Sequence, residues 1–151
     1  MFDTTVICAD EPAMRALGKQ LAGVLGKGTL VNLAGELGVG KSVLARAIIH
    51  AAGYQGRVKS PTYTLLETYV VEHPQTALAR IAHLDLYRLA DPDELNYLGF
   101  DDVLDECDLV MIEWPERAAD LLPEASVQIS IQYANDDARL VSIASAVSLN
   151  L

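Results

Sequence analysis

Apolar residues recur along this chain with two periods, and the alternation between them predicts its elements. Met14, Leu17, Leu21, Val24 and Leu25 fall at helical spacing behind Asp10, a good N-cap, with Pro12 tolerated in the first turn. Gly26 and Gly28 stop that helix before Thr29–Ala34, a run of strand character. Leu44, Ala47, Ile48 and Ala51 then mark one face of a second helix over 43–52, closed by Gly53. Residues 54–63 are rich in turn formers. Two extended runs follow, Thr64–Val71 and Thr76–Asp85, joined through His73-Pro74-Gln75 as an antiparallel hairpin. Asp91-Pro92-Asp93-Glu94 starts a short helix that Gly99 can close. Leu109–Ile112 is the uninterrupted apolar run of a buried central strand. Pro115 opens another helix that Pro123 ends. Val127–Tyr133 and Leu140–Val147 are strands around an Asn135-Asp136-Asp137 turn. The sum is an α/β sheet, parallel at its centre and antiparallel at one side, with helices on its faces.

The bulk properties narrow this picture. A chain of 151 residues with 51% hydrophobic content supports one domain, residues 1–151, with its own core. Eleven basic against 21 acidic residues give a net charge of −10, which opposes autonomous binding to a nucleic-acid backbone. The acidic run Asp101, Asp102, Asp105 and Glu106 offers a docking patch for a basic partner, although ordinary solvation accounts for it as well. Cys8 and Cys107 lie far apart, without metal-type spacing and without indication of a disulfide. No signal-peptide pattern and no membrane-length apolar run occur, so a cytoplasmic protein is expected.

The chemistry concentrates at residues 35–42. Gly35-Glu36-Leu37-Gly38-Val39-Gly40-Lys41-Ser42 is G-x-x-x-x-G-K-[ST], set between a predicted strand and a predicted helix. Glycines let the backbone N–H groups of such a loop converge on phosphate, and the helix N-terminus adds partial positive charge. Lys41 can reach the β- and γ-phosphates, and the Ser42 hydroxyl can ligate Mg²⁺. The predicted fold is therefore of the P-loop NTPase type, a three-layer sandwich.

Two strands end in a carboxylate on the ligand-binding edge, at Asp85 and at Glu113. Glu113 is expected to join Ser42 at the metal, directly or through water, with Asp85 in the same cluster. Which acid does which is open at this level. Ser60-Pro61-Thr62-Tyr63-Thr64 supplies hydroxyls for a nucleotide-responsive switch. Trp114 could cover the site, although a lone tryptophan is more often core. His83, on the same strand face as Asp85, reads as a satisfied polar residue rather than a catalytic base. Arg88 and Arg139 are candidates for phosphate or nucleotide contacts. No arginine finger is evident.

With these residues in hand, the chain resembles the TsaE (formerly YjeE) family, small P-loop ATPases of bacterial threonylcarbamoyladenosine tRNA modification. The resemblance rests on residues 35–42 and on Val58-Lys59-Ser60-Pro61-Thr62-Tyr63-Thr64-Leu65. It continues through His83-Leu84-Asp85-Leu86-Tyr87-Arg88-Leu89 and Ile112-Glu113-Trp114-Pro115-Glu116-Arg117, then Leu122-Pro123 and Asp137-Ala138-Arg139. It implies a Mg²⁺-dependent ATPase, monomeric when alone, acting with the TsaB–TsaD pair. In the family TsaD transfers the threonylcarbamoyl group to adenosine 37 of tRNAs reading ANN codons, and ATP turnover resets the complex. Contact with tRNA is then only indirect.

The resemblance also carries over nucleotide contacts by Glu36, Leu37, Gly38, Val39, Gly40, Lys41, Ser42 and Val43. It makes Ser42 and Glu113 metal ligands, Lys41, Asp85 and Glu113 the catalytic set, and Thr62 and Thr64 the switch. Asp10, Glu116 and Arg139 would surround base and sugar. Ser42 stands where many relatives have Thr, and either supplies the hydroxyl. Two rivals remain: a small-molecule kinase of the same fold, and a nucleotide-gated binding module without turnover. A GTPase is disfavoured because no Asn-Lys-x-Asp motif occurs.

Overall fold

The computed structural model describes residues 1–151, and its frame is one seven-stranded sheet. The strands are β1 (Phe2–Cys8), β2 (Thr29–Ala34), β3 (Leu66–Val70), β4 (Arg80–Asp85), β5 (Leu109–Glu113), β6 (Val127–Tyr133) and β7 (Arg139–Ser145). Their spatial order is β1-β7-β6-β2-β5-β4-β3. The four central strands β6, β2, β5 and β4 are mutually parallel. Antiparallel strands flank them on both sides: β3 beside β4, and β7 then β1 beside β6. The expectation of antiparallel pairing at one side only is thereby corrected. The Asn135 turn sends β7 back along β6, and β1 joins the far edge of β7.

The helices are α1 (Glu11–Val24), α2 (Lys41–Ala51), α3 (Glu94–Tyr97) and α4 (Phe100–Glu106), with a 3-10 helix over Pro115–Leu121. Strand pleating sends alternate residues to opposite faces. Val31, Leu33, Ile81, Leu109 and Met111 pack with α1 and α2 in one core. Leu30, Ala82, Leu84, Val110 and Ile112 pack with Leu95, Phe100 and Val103 of α3 and α4 in another. Two cores on opposite faces of one sheet make the three layers expected. All five residues of β5 are buried, as a central parallel strand requires. Helices α1 and α2 meet closely because Gly18 has no side chain: a Cβ there would stand 2.5 Å from the Ala47 Cβ. That approach brings the N-termini of both helices to the same edge of the sheet.

The departures from the predicted elements have local causes. β1 falls outside the predicted elements: only Cys8 of its seven residues is buried, so its pattern is that of an exposed edge, and β7, its partner from Arg139 to Ser145, defines it. α4 was likewise missed. Gly99, read as a helix stop, adopts left-handed φ +73° and also opens α4. The expected run from Thr64 becomes a strand only at Leu66, because Leu65 turns the chain at φ +66°. The helix expected after Pro115 is 3-10, broken at Ala118 (φ −140°, ψ 33°). No helix is long and apolar enough to cross a membrane.

Candidate active site

The carboxyl ends of β2, β4 and β5 assemble the site. Leu33, Glu113 and Asp85 are register partners across these three parallel strands. Glu113 and Asp85 therefore emerge side by side where the chain leaves β2 for the glycine-rich loop. Odd-numbered positions of β4 and β5 face α2, so His83, Asp85 and Glu113 point toward its N-terminus and not toward α4.

The loop itself is held open by backbone conformation. Gly35, Gly38 and Gly40 adopt φ +148°, +79° and +122°, a region that disfavours side chains. The loop closes on itself once, through Val39 N–H donating to Glu36 O at 3.2 Å. α2 takes its first backbone bond at Leu44, whose N–H donates to Gly40 O at 3.0 Å. The amides of Gly38, Gly40, Lys41, Ser42 and Val43 find no carbonyl in the chain. These unpaired donors at a helix N-terminus form a cradle for an anion.

Lys41 is only 4% exposed and is turned back along the loop. Its Nζ donates to Gly35 O and, at 3.2 Å, to Glu36 O, and sits 3.9 Å from the centroid of the Trp114 ring. Burial pushes the Lys41 ammonium below its ordinary pKa, while the carboxylates of Glu113, Asp85 and Glu116 pull it back up. Trp114 is the residue after Glu113 and adopts left-handed φ +57°, which turns its ring across the mouth of the loop and against Tyr87, 5.0 Å between centroids.

Ser42 Oγ bonds both Glu113 oxygens, at 3.2 and 3.0 Å. Oε2 of Glu113 also accepts from His83 Nε2 at 2.6 Å. Asp85 Oδ1 accepts from the Tyr87 amide at 3.0 Å. Burial raises the Asp85 carboxyl above its ordinary value; the Tyr87 amide opposes this, the Glu113 charge reinforces it, and His83 and Lys41 oppose it. No group of three or more His, Cys, Asp or Glu residues holds a metal by itself. Mg²⁺ needs none: it keeps several waters and takes one or two protein oxygens plus phosphate. The pairing of Ser42 Oγ with the Glu113 carboxylate fits that habit.

Most of the predicted residues converge. Leu37, Gly38, Gly40, Lys41, Ser42, Val43, Thr62, Asp85, Glu113 and Trp114 line one cleft of about 200 Å³. Next to it, Asp10, Glu11, Met14, Gly38, Val39, Gly40, Val43, Asp137 and Arg139 line another of about 150 Å³. Asp10 reaches that cleft while capping α1, with Ala13 N–H on Oδ1 at 2.9 Å. Arg139 braces the loop there, Nε donating to Val39 O at 2.9 Å and Nη1 to the carbonyls of Asp137 and Ala138. Thr64, Glu36 and Glu116 lie outside both clefts. The Thr64 hydroxyl donates to Glu67 Oε1 at 3.1 Å, because the turn at Leu65 aims it along β3. Glu116 shares with Glu36, Trp114 and Tyr133 a groove of about 580 Å³ beside the loop.

Sequence reading undervalued His83. Expected to be a satisfied polar residue, it is satisfied at one nitrogen only: Nε2 is bonded to Glu113, and Nδ1 has no partner. Its position two residues before Asp85 was the available signal. Tyr133, whose hydroxyl donates to Leu37 O at 3.1 Å, was also missed.

Comparison with known proteins shows the family and the fold. The family model for threonylcarbamoyl adenosine biosynthesis protein TsaE matches residues 8–141. The chain belongs to the TsaE family. A TsaE named for tRNA threonylcarbamoyladenosine biosynthesis in Haemophilus influenzae is 40% identical, over 99% of this chain and 94% of that protein. The TsaE proteins of Rickettsia bellii and Streptomyces coelicolor are 35% and 36% identical, covering 95% and 82% of this chain and 96% and 82% of theirs. The crystal structure of YdiB from Bacillus subtilis superposes with a TM-score of 0.76 at 22% identity, over 97% of this chain and 87% of that one, and so shares the fold.

Proposed function

We propose that this TsaE-family chain binds ATP with Mg²⁺ and hydrolyses it in the cytoplasm, in support of threonylcarbamoyladenosine formation at adenosine 37 of tRNAs reading ANN codons. It acts as a monomer alongside the TsaB–TsaD pair and does not itself transfer the group. The observation that carries this reading is the run of unpaired amides at the start of α2, facing the Ser42–Glu113 pair and Asp85. The names of the relatives support the pathway.

In this reading the amides of Gly38 to Val43 bind the triphosphate and Lys41 swings from the Gly35 and Glu36 carbonyls onto it. Ser42 and Glu113 hold Mg²⁺, which when bound neutralises charge on the phosphate oxygens. Asp85, whose burial raises its proton affinity, orients the attacking water and accepts its proton. Thr62 lines the phosphate cleft as the near part of the switch, and Asp10 and Arg139 flank the base and sugar.

The arginines around the site are engaged elsewhere. Arg88 lies over Tyr63 at 4.7 Å, Arg117 over Tyr87 at 5.6 Å, and Arg139 is tied to loop carbonyls. Hydrolysis is therefore slow for the isolated chain and rises when the partner complex supplies or orders the missing groups. Steady-state phosphate release with and without TsaB–TsaD tests this: equal rates refute the partner dependence. A Lys41→Ala protein that releases phosphate at the unaltered rate refutes the site. Phosphate appearing on a nucleoside or sugar instead of in solution would establish the kinase alternative.

A further inference from the structure

His83 is expensive as a filler of the core. Its ring is 2% exposed, yet Nδ1 meets no donor or acceptor. A leucine or phenylalanine would fill the space without stranding a polar atom. The compensation lies at the other nitrogen. Nε2 stands 2.6 Å from Glu113 Oε2, with the two side chains 2% and 4% exposed. A carboxylate accepts, so Nε2 carries the proton and donates it.

Glu113 needs such a donor. Its neighbour in register is Asp85, another carboxylate, and like charges side by side push each other away. Its remaining side-chain partner is the Ser42 hydroxyl, a rotor that bonds both oxygens, at 3.0 and 3.2 Å, and fixes neither. The imidazole is planar and packed, and it pins one chosen oxygen. With Oε2 held, the carboxylate plane stays turned toward Ser42.

We propose that His83 is a positioning residue: its Nε2–H sets the orientation of the Glu113 carboxylate against Ser42, and through it the affinity of the metal–nucleotide site. This rests on the reading of the site given above. His83 does not line the cleft that holds Lys41, Ser42 and Glu113, so it acts only through Glu113.

Glutamine and asparagine separate this role from packing. The Gln amide nitrogen lies the same number of bonds from Cα as His Nε2, and the Asn nitrogen the same as Nδ1. The full chain is titrated with Mn²⁺ in the presence of ADP, with uptake followed by electron paramagnetic resonance. Metal-free ADP affinity and kcat for ATP are measured alongside. For His83→Asn the Mn²⁺ dissociation constant rises ~10- to 100-fold and kcat falls by a similar factor, as losing a ligand's supporting hydrogen bond does. Metal-free ADP affinity stays within about threefold, and His83→Gln recovers Mn²⁺ binding to within about fivefold of wild type. Should His83→Asn fail to fold, His83→Leu, which fills volume and donates nothing, is compared with His83→Gln instead. Variants that bind Mn²⁺ as tightly as wild type, or Gln and Asn variants impaired equally, overturn the positioning role alone. A wild-type chain that takes up no Mn²⁺ with ADP overturns the metal–nucleotide reading and this inference with it.

Discussion

Gly35→Ala tests whether the loop is built by backbone conformation. Gly35 stands at φ +148°, outside the regions an L-residue adopts readily. Holding alanine there costs about 1–3 kcal/mol. The added methyl would lie 2.6 Å from Ile131 O and 2.8 Å from Val39 Cγ1. Ile131 is buried in β6 and paired in register with Val141 of β7, so its carbonyl has little room to move. Overpacking adds about 1–3 kcal/mol. The sum, about 2–6 kcal/mol, corresponds to a melting temperature lower by ~5–20 °C in a domain of this size. The function should suffer beyond the stability. The loop relieves the clash by shifting, and Lys41 takes its resting bonds from Gly35 O and Glu36 O. Misplacement of such groups by about 1 Å costs up to a hundredfold. Thermal melting without nucleotide, with calorimetric titration of Mg-ATP well below the melting point, measures both effects. Gly23→Ala is the control: a Cβ there meets nothing within 4 Å and lies inside α1, so it should stabilise by about 0.4–1 kcal/mol. A Gly35→Ala protein that melts within about 2 °C of wild type and binds ATP as tightly would refute the reasoning.

Three further outcomes follow from the same geometry. Asp85 titrates higher in the folded protein than in the unfolded chain, so it favours the fold most below the ordinary carboxylate pKa, and that favour is lost as pH rises through the raised value. At neutral pH Asp85→Asn, which keeps the acceptor for the Tyr87 amide, should raise the metal-free melting temperature by ~2–6 °C while abolishing turnover; a lower melting temperature sinks the assignment. Asp108 behaves oppositely. Burial pushes its carboxyl up, but the Ala79 and Arg80 amides on Oδ2 and the charges of Lys27 and Arg80 prevail and hold it below its usual value. Its contribution is present above pH ~4 and lost as pH falls through the depressed value, so Asp108→Asn should flatten the acid limb of a urea-midpoint profile. Arg139→Ala releases Val39 O and opens the Asp10 cleft, and calorimetry should show ATP binding weaker by about tenfold or more.

How far these residues could be read before folding depends on the range of the forces that place them. The phosphate loop was legible because its requirements are local: glycine at positive φ, a lysine, a hydroxyl and a helix start all fall within eight consecutive residues. Asp85 and Glu113 were legible as strand ends, since apolar runs announce β4 and β5. What distinguishes their surroundings was not, because it is the bond of Glu113 to Ser42, 71 residues away in sequence. The same limit explains Thr64 and Glu116. One torsion at Leu65 aims Thr64 at Glu67, and the left-handed turn at Trp114 precedes Glu116, which lines a groove with Glu36.

Local pattern alone thus determined an α/β domain with a phosphate loop and two strand-end acids, since hydrophobic period, capping and turn chemistry act over a few residues. Tertiary structure decided the rest. It added the β1 edge through β7, put antiparallel strands on both flanks, and withdrew Lys41 beneath Trp114. It also set His83 against Glu113 across 30 residues of chain. The reason is that burial and hydrogen-bond partnership belong to groups distant in sequence. Whether a histidine is a filler or a clamp depends on what the sheet places beside it.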